Sequence, residues 1–341
     1  MARREMLAAS VLMAGLLSAG CGGDIGSGDD QDATSNTCNG SAALCALPYD
    51  KVVFAATHNA HTNSTTKVPG LTNQNKHIRD QLADGVRALM IDVGKKSGEI
   101  HACHGGCDAV IPGVGVADWG RFGLFLASIK NFLQSNPSET VTLILEITDG
   151  ATPADIVKEL VSAGVDSRVY SKPKTAAWPA LKDLGGKLLV FAPKWDGYSC
   201  LDAQTSKYIM RYWDHAFENA YSYSSVSDFS KSSACTVDRG NKDGLFTLNH
   251  FLTSKDVLIP DIPSTWFIDA VPSPVKQTNG QSLIDHIEAC KKSLGRYPNF
   301  VAVDWYDEGS YGGKGSLAKL VAWLNTKGSG VGPATVKTSC P

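Results

Sequence analysis

Glu139-Thr140-Val141-Thr142-Leu143-Ile144-Leu145-Glu146-Ile147 is an apolar run with one carboxylate near its end. Strand side chains alternate between faces, so Leu143, Leu145 and Ile147 share an apolar face and Glu146 falls on the other. Phe300–Trp305 repeats the pattern, with Val301, Val303 and Trp305 on one face and Asp304 opposing them. A carboxylate at the end of an otherwise apolar strand is costly unless it has a partner. Outward from these two runs the same placement recurs. His58-Asn59 follows the strand Val52–Thr57, Asp92 lies near the end of Val86–Val93, and Asn249 lies in Phe246–Phe251. Lys187–Ala192 is a sixth strand.

Helical patterns separate the strands, at Gln74–Ala83, Gly120–Gln134, Pro153–Ala163, Ser282–Ser293 and Leu317–Leu324. Asn136-Pro137-Ser138 and Gly185-Gly186 punctuate helix ends before strands. This alternation predicts a parallel sheet, which a closed barrel and an open doubly wound sheet both satisfy. No Gly-x-Gly-x-x-Gly follows the first strand, which weakens the dinucleotide-binding version. Polar residues gathered at C-terminal strand ends favour a single-domain α/β barrel of (β/α)8 TIM type, whose active sites lie at that face.

The 341 residues are 19% charged and 43% hydrophobic, with net charge −2. Nothing in that balance draws the chain to nucleic acid or to an acidic surface in general. No nucleic-acid or protein partner is expected, and the chain is expected to be a monomer. Arg3 and Arg4, the apolar run Leu7 to Leu17 and Ser18-Ala19-Gly20 have the layout of a signal peptide over residues 1–21. Leu17-Ser18-Ala19-Gly20-Cys21 resembles a bacterial lipobox, although its Leu stands one place farther from the Cys than usual. Two outcomes stay open, an envelope lipoprotein acylated at Cys21 or free secretion. Gly22 to Thr37 reads as a flexible tether, and 38–341 as the folded domain.

Beyond Cys21 there are eight cysteines, an even set that reads as disulfides in an exported chain. The simplest pairing joins sequence neighbours: Cys38–Cys45, Cys103–Cys107, Cys200–Cys235 and Cys290–Cys340. A zinc site is the rival reading, but no CxxC or His-x-x-x-His accompanies these cysteines.

Four ordered blocks carry the chemistry: Ala56-Thr57-His58-Asn59-Ala60, Gly85 to Asp92, His101-Ala102-Cys103-His104-Gly105, and Glu139 to Glu146. Together they resemble the X region of phosphatidylinositol-specific phospholipase C. Trp178-Pro179-Ala180-Leu181 and Gly186 to Val190 extend the likeness. Leu248-Asn249-His250-Phe251 and Val303-Asp304-Trp305-Tyr306 continue it more loosely.

The resemblance implies an irregular (β/α) barrel, with His58 as general base and His104 as general acid. Histidine titrates near neutrality and suits either task. His61, His77, His101, His215 and His286 read as core or surface histidines. The resemblance further implies calcium held by Asn59, Asp92 and Glu146, oxygen ligands of the kind that ion prefers. Met90 stands where the calcium-using class places another carboxylate. Lys194, Asn249 and Asp304 are candidate substrate-binding residues, with Asp304 alternatively orienting a histidine. Arg87 reads as a structural ion pair. The implied activity is cleavage of an inositol phospholipid, or a glycosylated relative, at a membrane surface. Rival readings are a barrel phosphodiesterase of glycerophosphodiester or sphingomyelin type, and a catalytically silent lipid- or glycan-binding surface protein.

Overall fold

The structure, a computed structural model, describes residues 37–65, 72–104, 106–108, 110, 111, 115–253 and 277–328. The expected signal peptide, Cys21, all of the tether but its last residue, and Cys340 lie outside them.

The principal strands are β1 (Phe54–Thr57), β2 (Ala88–Lys96), β3 (Glu99–Cys103), β4 (Asp118–Arg121), β5 (Val141–Ile147), β6 (Leu188–Lys194), β7 (Met210–Arg211), β8 (Ala216–Glu218), β9 (Arg239–Gly240), β10 (Leu245–His250) and β11 (Phe300–Val303). Eight of them form the wall of the barrel, in the order β7-β6-β5-β2-β1-β11-β10-β8, with every neighbouring pair parallel. Among the described residues β7 and β8 do not pair, so the barrel stays open between its fifth and sixth strands. The chain gives the reason. Only the single turn Tyr212–His215 separates these two strands, whereas joining parallel neighbours takes a dozen residues or more. β3 and β4 form an antiparallel flap on the edge of β2, and β9 pairs antiparallel with β8.

Strand parity sorts the core into two layers. Phe54, Ala56, Ala88, Ile144, Leu189, Phe191, Met210, Ala216, Leu245, Phe300 and Ala302 pack together inside the barrel. Their neighbours Ala55, Leu89, Ile91, Leu143, Leu145, Val190, Phe246, Leu248, Val301 and Val303 face outward. The outward set packs under α1 (Ile78–Ala83), α2 (Phe122–Ser135), α3 (Pro153–Ser162), α4 (Leu283–Leu294) and α5 (Leu317–Thr326). Each large side chain fully buried in either layer contributes roughly 1.5–3 kcal/mol. Tyr49, fully buried, packs against Phe54 and Trp178 in the inner layer and hydrogen-bonds Thr142. Following each inward column towards its C-terminal end leads to His58, Asp92, Glu146, Glu218, Asn249 and Asp304.

Two local readings are corrected. α1 starts at Ile78 rather than Gln74, because the His77 side chain caps it by accepting from Arg79 N at 3.2 Å. Gln74 instead spends its amide on the carbonyls of His58 and Val303, at 2.7 and 3.1 Å. The disulfides Cys38–Cys45 and Cys103–Cys107 are present, but Cys235 pairs with Cys290 and not with Cys200. The turn Ser232–Cys235 packs directly on α4, which carries Cys290. Contact in the fold overrides proximity in sequence. The expected Cys290–Cys340 pair falls as well, because Cys290 is taken, and Cys200 is also disulfide-bonded.

Candidate active site

His58 leaves the end of β1, and Asn59 follows it with φ +43°. That left-handed turn, open to Asn at low cost, lets consecutive residues face one cavity. His58 lies flat on Phe251, with ring centroids 3.7 Å apart and planes 2° from parallel. Its Nδ1 is 2.9 Å from Asp304 Oδ1. The other oxygen of Asp304 accepts from Asn73 Nδ2 at 3.0 Å. Asn73 is fixed in turn by Thr62, whose hydroxyl donates to Asn73 Oδ1 at 2.9 Å. Asp304 therefore stands behind His58, only 5% exposed, rather than on the cavity wall. Burial pushes its carboxyl pKa up, against the pull of His58 and the Asn73 hydrogen bond.

His104 enters from the flap. Its Nδ1 lies 3.0 Å from Asp92 Oδ2, at the inner end of β2. Burial raises the Asp92 pKa, but the His104 hydrogen bond and nearby imidazoles outweigh it, and the carboxyl ends below its usual range. Each candidate catalytic histidine thus has a carboxylate on Nδ1.

Asp92 and Glu146 are register partners on adjacent parallel strands. Burial and the charge of Asp92 raise the Glu146 pKa, although 39% of its side chain remains exposed. β6 carries one extra residue against β5, a register shift that brings Lys194 opposite Glu146. Bulges near active sites commonly re-aim side chains in this way. His58, Asn59, Asp92, His104, Glu146, Lys194 and Asn249 all line one cavity of about 440 Å³.

Asn59, Asp92 and Glu146 fit a hard divalent cation on chemical grounds. They bring oxygen donors together, with two carboxylates close enough to raise the pKa of one of them. Asn249, also on the wall, keeps its Oδ1 buried with no hydrogen-bond partner. Met90, below Asp92 on the same face of β2, adds no oxygen.

The structure adds residues that sequence reasoning passed over. Glu218 ends β8 and is paired with Arg239, whose Nε donates at 2.7 Å. Asn249 Nδ2 donates to the other Glu218 oxygen at 3.1 Å. The Arg239 guanidinium lies 4.4 Å from the Tyr221 ring centroid and 5.0 Å from that of Trp213, and all of these residues line the cavity. Arg87 donates to Glu139 at 2.7 Å and to the Leu82 and Val86 carbonyls, at the opposite end of β2 from the site. His61 is buried edge-on to Trp119, and burial lowers its pKa to about 3.

A family model described as PI-PLC X matches residues 44–315. The chain belongs to the PI-PLC X family. A PI-PLC X domain-containing protein of Arthroderma benhamiae is 27% identical over 80% of this chain and 86% of its own length. An uncharacterized secreted protein of the same organism is 25% identical over 87% of this chain, which spans 66% of that relative's length. Among solved structures, a variant of the phosphatidylinositol-specific phospholipase C of Staphylococcus aureus superposes with TM-score 0.54 at 15% identity. It covers 86% of this chain and 98% of its own. The fold is thus the irregular barrel of that family, as expected.

Proposed function

We propose that this PI-PLC X chain is a phosphodiesterase that cleaves an inositol phospholipid, or a glycosylated relative, by paired histidine catalysis with calcium assistance. The observation that carries the reading is the matched pair His58–Asp304 and His104–Asp92 at one cavity. With Nδ1 held by a carboxylate, Nε2 of each ring serves the substrate. His58 takes the proton of the inositol 2-hydroxyl as that oxygen bonds to phosphorus. The bond from phosphorus to the diacylglycerol oxygen breaks, and His104 gives that oxygen its proton. The product is a cyclic inositol phosphate, which water can open by the reverse roles. Asp304 and Asp92 hold the rings and offset their positive charge. Calcium held by Asn59, Asp92 and Glu146 would lower the hydroxyl's pKa and neutralise charge on the phosphate. Lys194, Arg239 and Asn249 border the space for the headgroup.

The disulfides suit an oxidising compartment, in keeping with the secreted relative. Export therefore belongs to the reading, with the barrel acting as a monomer at a membrane surface, either anchored through Cys21 or free.

The test is a headgroup panel of phosphatidylinositol, a glycerophosphodiester and sphingomyelin, assayed with and without calcium. Phosphatidylinositol should be the substrate. His58→Ala and His104→Ala should each lose about 10²–10⁴-fold in kcat with the fold intact. Turnover of sphingomyelin or a glycerophosphodiester in preference would replace this reading with a neighbouring phosphodiesterase. No turnover of any would favour a silent binding protein.

A further inference from the structure

Cys103 and Cys107 close a short loop that carries His104. The near side of the loop is fixed by backbone pairing, since β3 ends at Cys103 and His104 N donates to Ala117 O at 3.1 Å. The far side is held differently. Cys107 N donates to Asp149 Oδ2 at 3.1 Å, and the same oxygen lies 4.0 Å from Cys103 Sγ. One carboxylate oxygen therefore touches both half-cystines.

Asp149 sits in the turn after β5, three residues past Glu146, with φ +50°. A non-glycine residue in that region costs of order 1–3 kcal/mol and persists where its surroundings over-determine it. Here Thr148 N donates to Val93 O at 2.8 Å and Lys95 N to Asp149 O at 3.3 Å, clamping the turn to β2. Gly94 completes the arrangement. A Cβ there would come within 2.6 Å of Cys107 Sγ and 2.7 Å of Asp149 Oδ2. Disulfide and carboxylate are thus packed on the bare backbone of β2, two residues past Asp92, which holds the His104 ring.

We propose that Asp149 is a positioning residue for the general acid, setting the disulfide loop against β2 so that His104 meets the leaving oxygen. The inference rests on the reading of His104 as that acid. The disulfide closes the loop but does not fix its tilt, and Gly106, which has no side chain, adds no contact to hold it. Asp149 also lines the cavity, but His58 and Asp304 are held by other strands, so its loss should fall chiefly on leaving-group protonation.

Leaving-group dependence isolates that step. The assay compares an inositol phosphodiester with an alkyl leaving group, which needs the acid, with a p-nitrophenyl ester, whose phenolate leaves largely unaided. Asp149→Ala should lower kcat on the alkyl ester about tenfold, a fraction of a general acid's full contribution, with KM nearly unchanged. On the nitrophenyl ester the loss should stay under about twofold. Asp149→Asn keeps an acceptor for Cys107 N and should recover most of the activity. Gly94→Ala crowds the same contact from the other side and should reproduce the split. Equal losses on both substrates would mean a general structural role and would overturn the proposal, as would no loss on the alkyl ester. His104→Ala, run alongside, must show the split more strongly. If it shows none, the acid assignment falls and the inference falls with it, an outcome distinct from failure at Asp149 alone.

Discussion

Lys194 Nζ lies 3.4 Å from Glu146 Oε2 across paired strands β5 and β6. A cation supplied by the chain therefore already faces a carboxylate assigned to calcium. The two compete, because a divalent ion bound to Glu146 must displace or share with the ammonium. Removing the lysine should favour the ion. Lys194→Met should lower the calcium needed for half-maximal activity several-fold, and Asp92→Asn or Glu146→Gln should raise it. Titrations of activity against free calcium in a chelator buffer test this. Full wild-type activity in excess chelator, with Lys194→Met inactive, would show instead that the lysine replaces the metal.

Asp304 is expected to separate function from stability. It hydrogen-bonds His58 Nδ1 at 2.9 Å while buried, and burial raises its pKa. A carboxyl whose folded pKa lies above its unfolded value makes the native state less stable once both states are ionised. Asp304→Asn should therefore leave the melting temperature at pH 7 unchanged or higher, with the gain fading as pH falls through the folded pKa. The amide cannot hold the same imidazole tautomer or offset its charge, so kcat should fall on the order of 10²-fold. A parallel loss of melting temperature and activity would make Asp304 a structural group.

The readable parts of this site were those on long apolar strands. Glu146 and Asp92 end inward columns on β5 and β2, where alternation runs long enough to show which face they take. Asp304 directly follows the last residue of β11 and keeps that strand's parity. The overlooked parts lie where that signal fails. Glu218 ends a three-residue strand, and Arg239 begins a two-residue one, so neither has a periodicity to read. Lys194 is a candidate from its place just past a strand, but its pairing with Glu146 comes through a register shift that strict alternation cannot anticipate. Asp149 sits in a turn, where parity no longer applies. The open seam between β7 and β8 was expected only as irregularity, and its cause is the one-turn link Tyr212–His215. Cysteine pairing followed three-dimensional contact, and sequence neighbours gave the correct answer only at separations of 7 and 4 residues.

The corrected pairing has a consequence for stability. Cys235–Cys290 spans 55 residues of sequence. Chain-entropy reasoning assigns a loop of that size about 4 kcal/mol. The double variant Cys235→Ala/Cys290→Ala should lose a substantial part of this in chemical denaturation. Peptide mapping of non-reduced protein should find the Cys235–Cys290 linked fragment. Recovery of a Cys200–Cys235 fragment would reject the pairing and the magnitude together.

Buried histidines should make the barrel sensitive to acid. His215 packs between Trp178 and Phe191, and burial, followed by the charges of Lys172 and Lys174, lowers its pKa to about 3. His61 is lowered to about 3 and His286 to about 4, both chiefly by burial. Unfolded, each titrates near 6.5. Between that value and the folded pKa the unfolded chain binds a proton that the native chain does not, so stability falls as pH falls. Each such group contributes up to about 1.4 kcal/mol per pH unit in that window. Asp304, Glu146 and Glu218, whose pKa values are raised, act in the opposite sense as they protonate in the native state. A single variant separates the two effects. His215→Phe fills the same aromatic niche, at a site lined by neither candidate catalytic histidine, and removes one proton from the balance. Its unfolding free energy should fall less steeply between pH 6 and 4 than that of the wild type, by roughly one proton's slope. Identical pH profiles for the two proteins would mean that His215 is protonated in the native state, contrary to its burial.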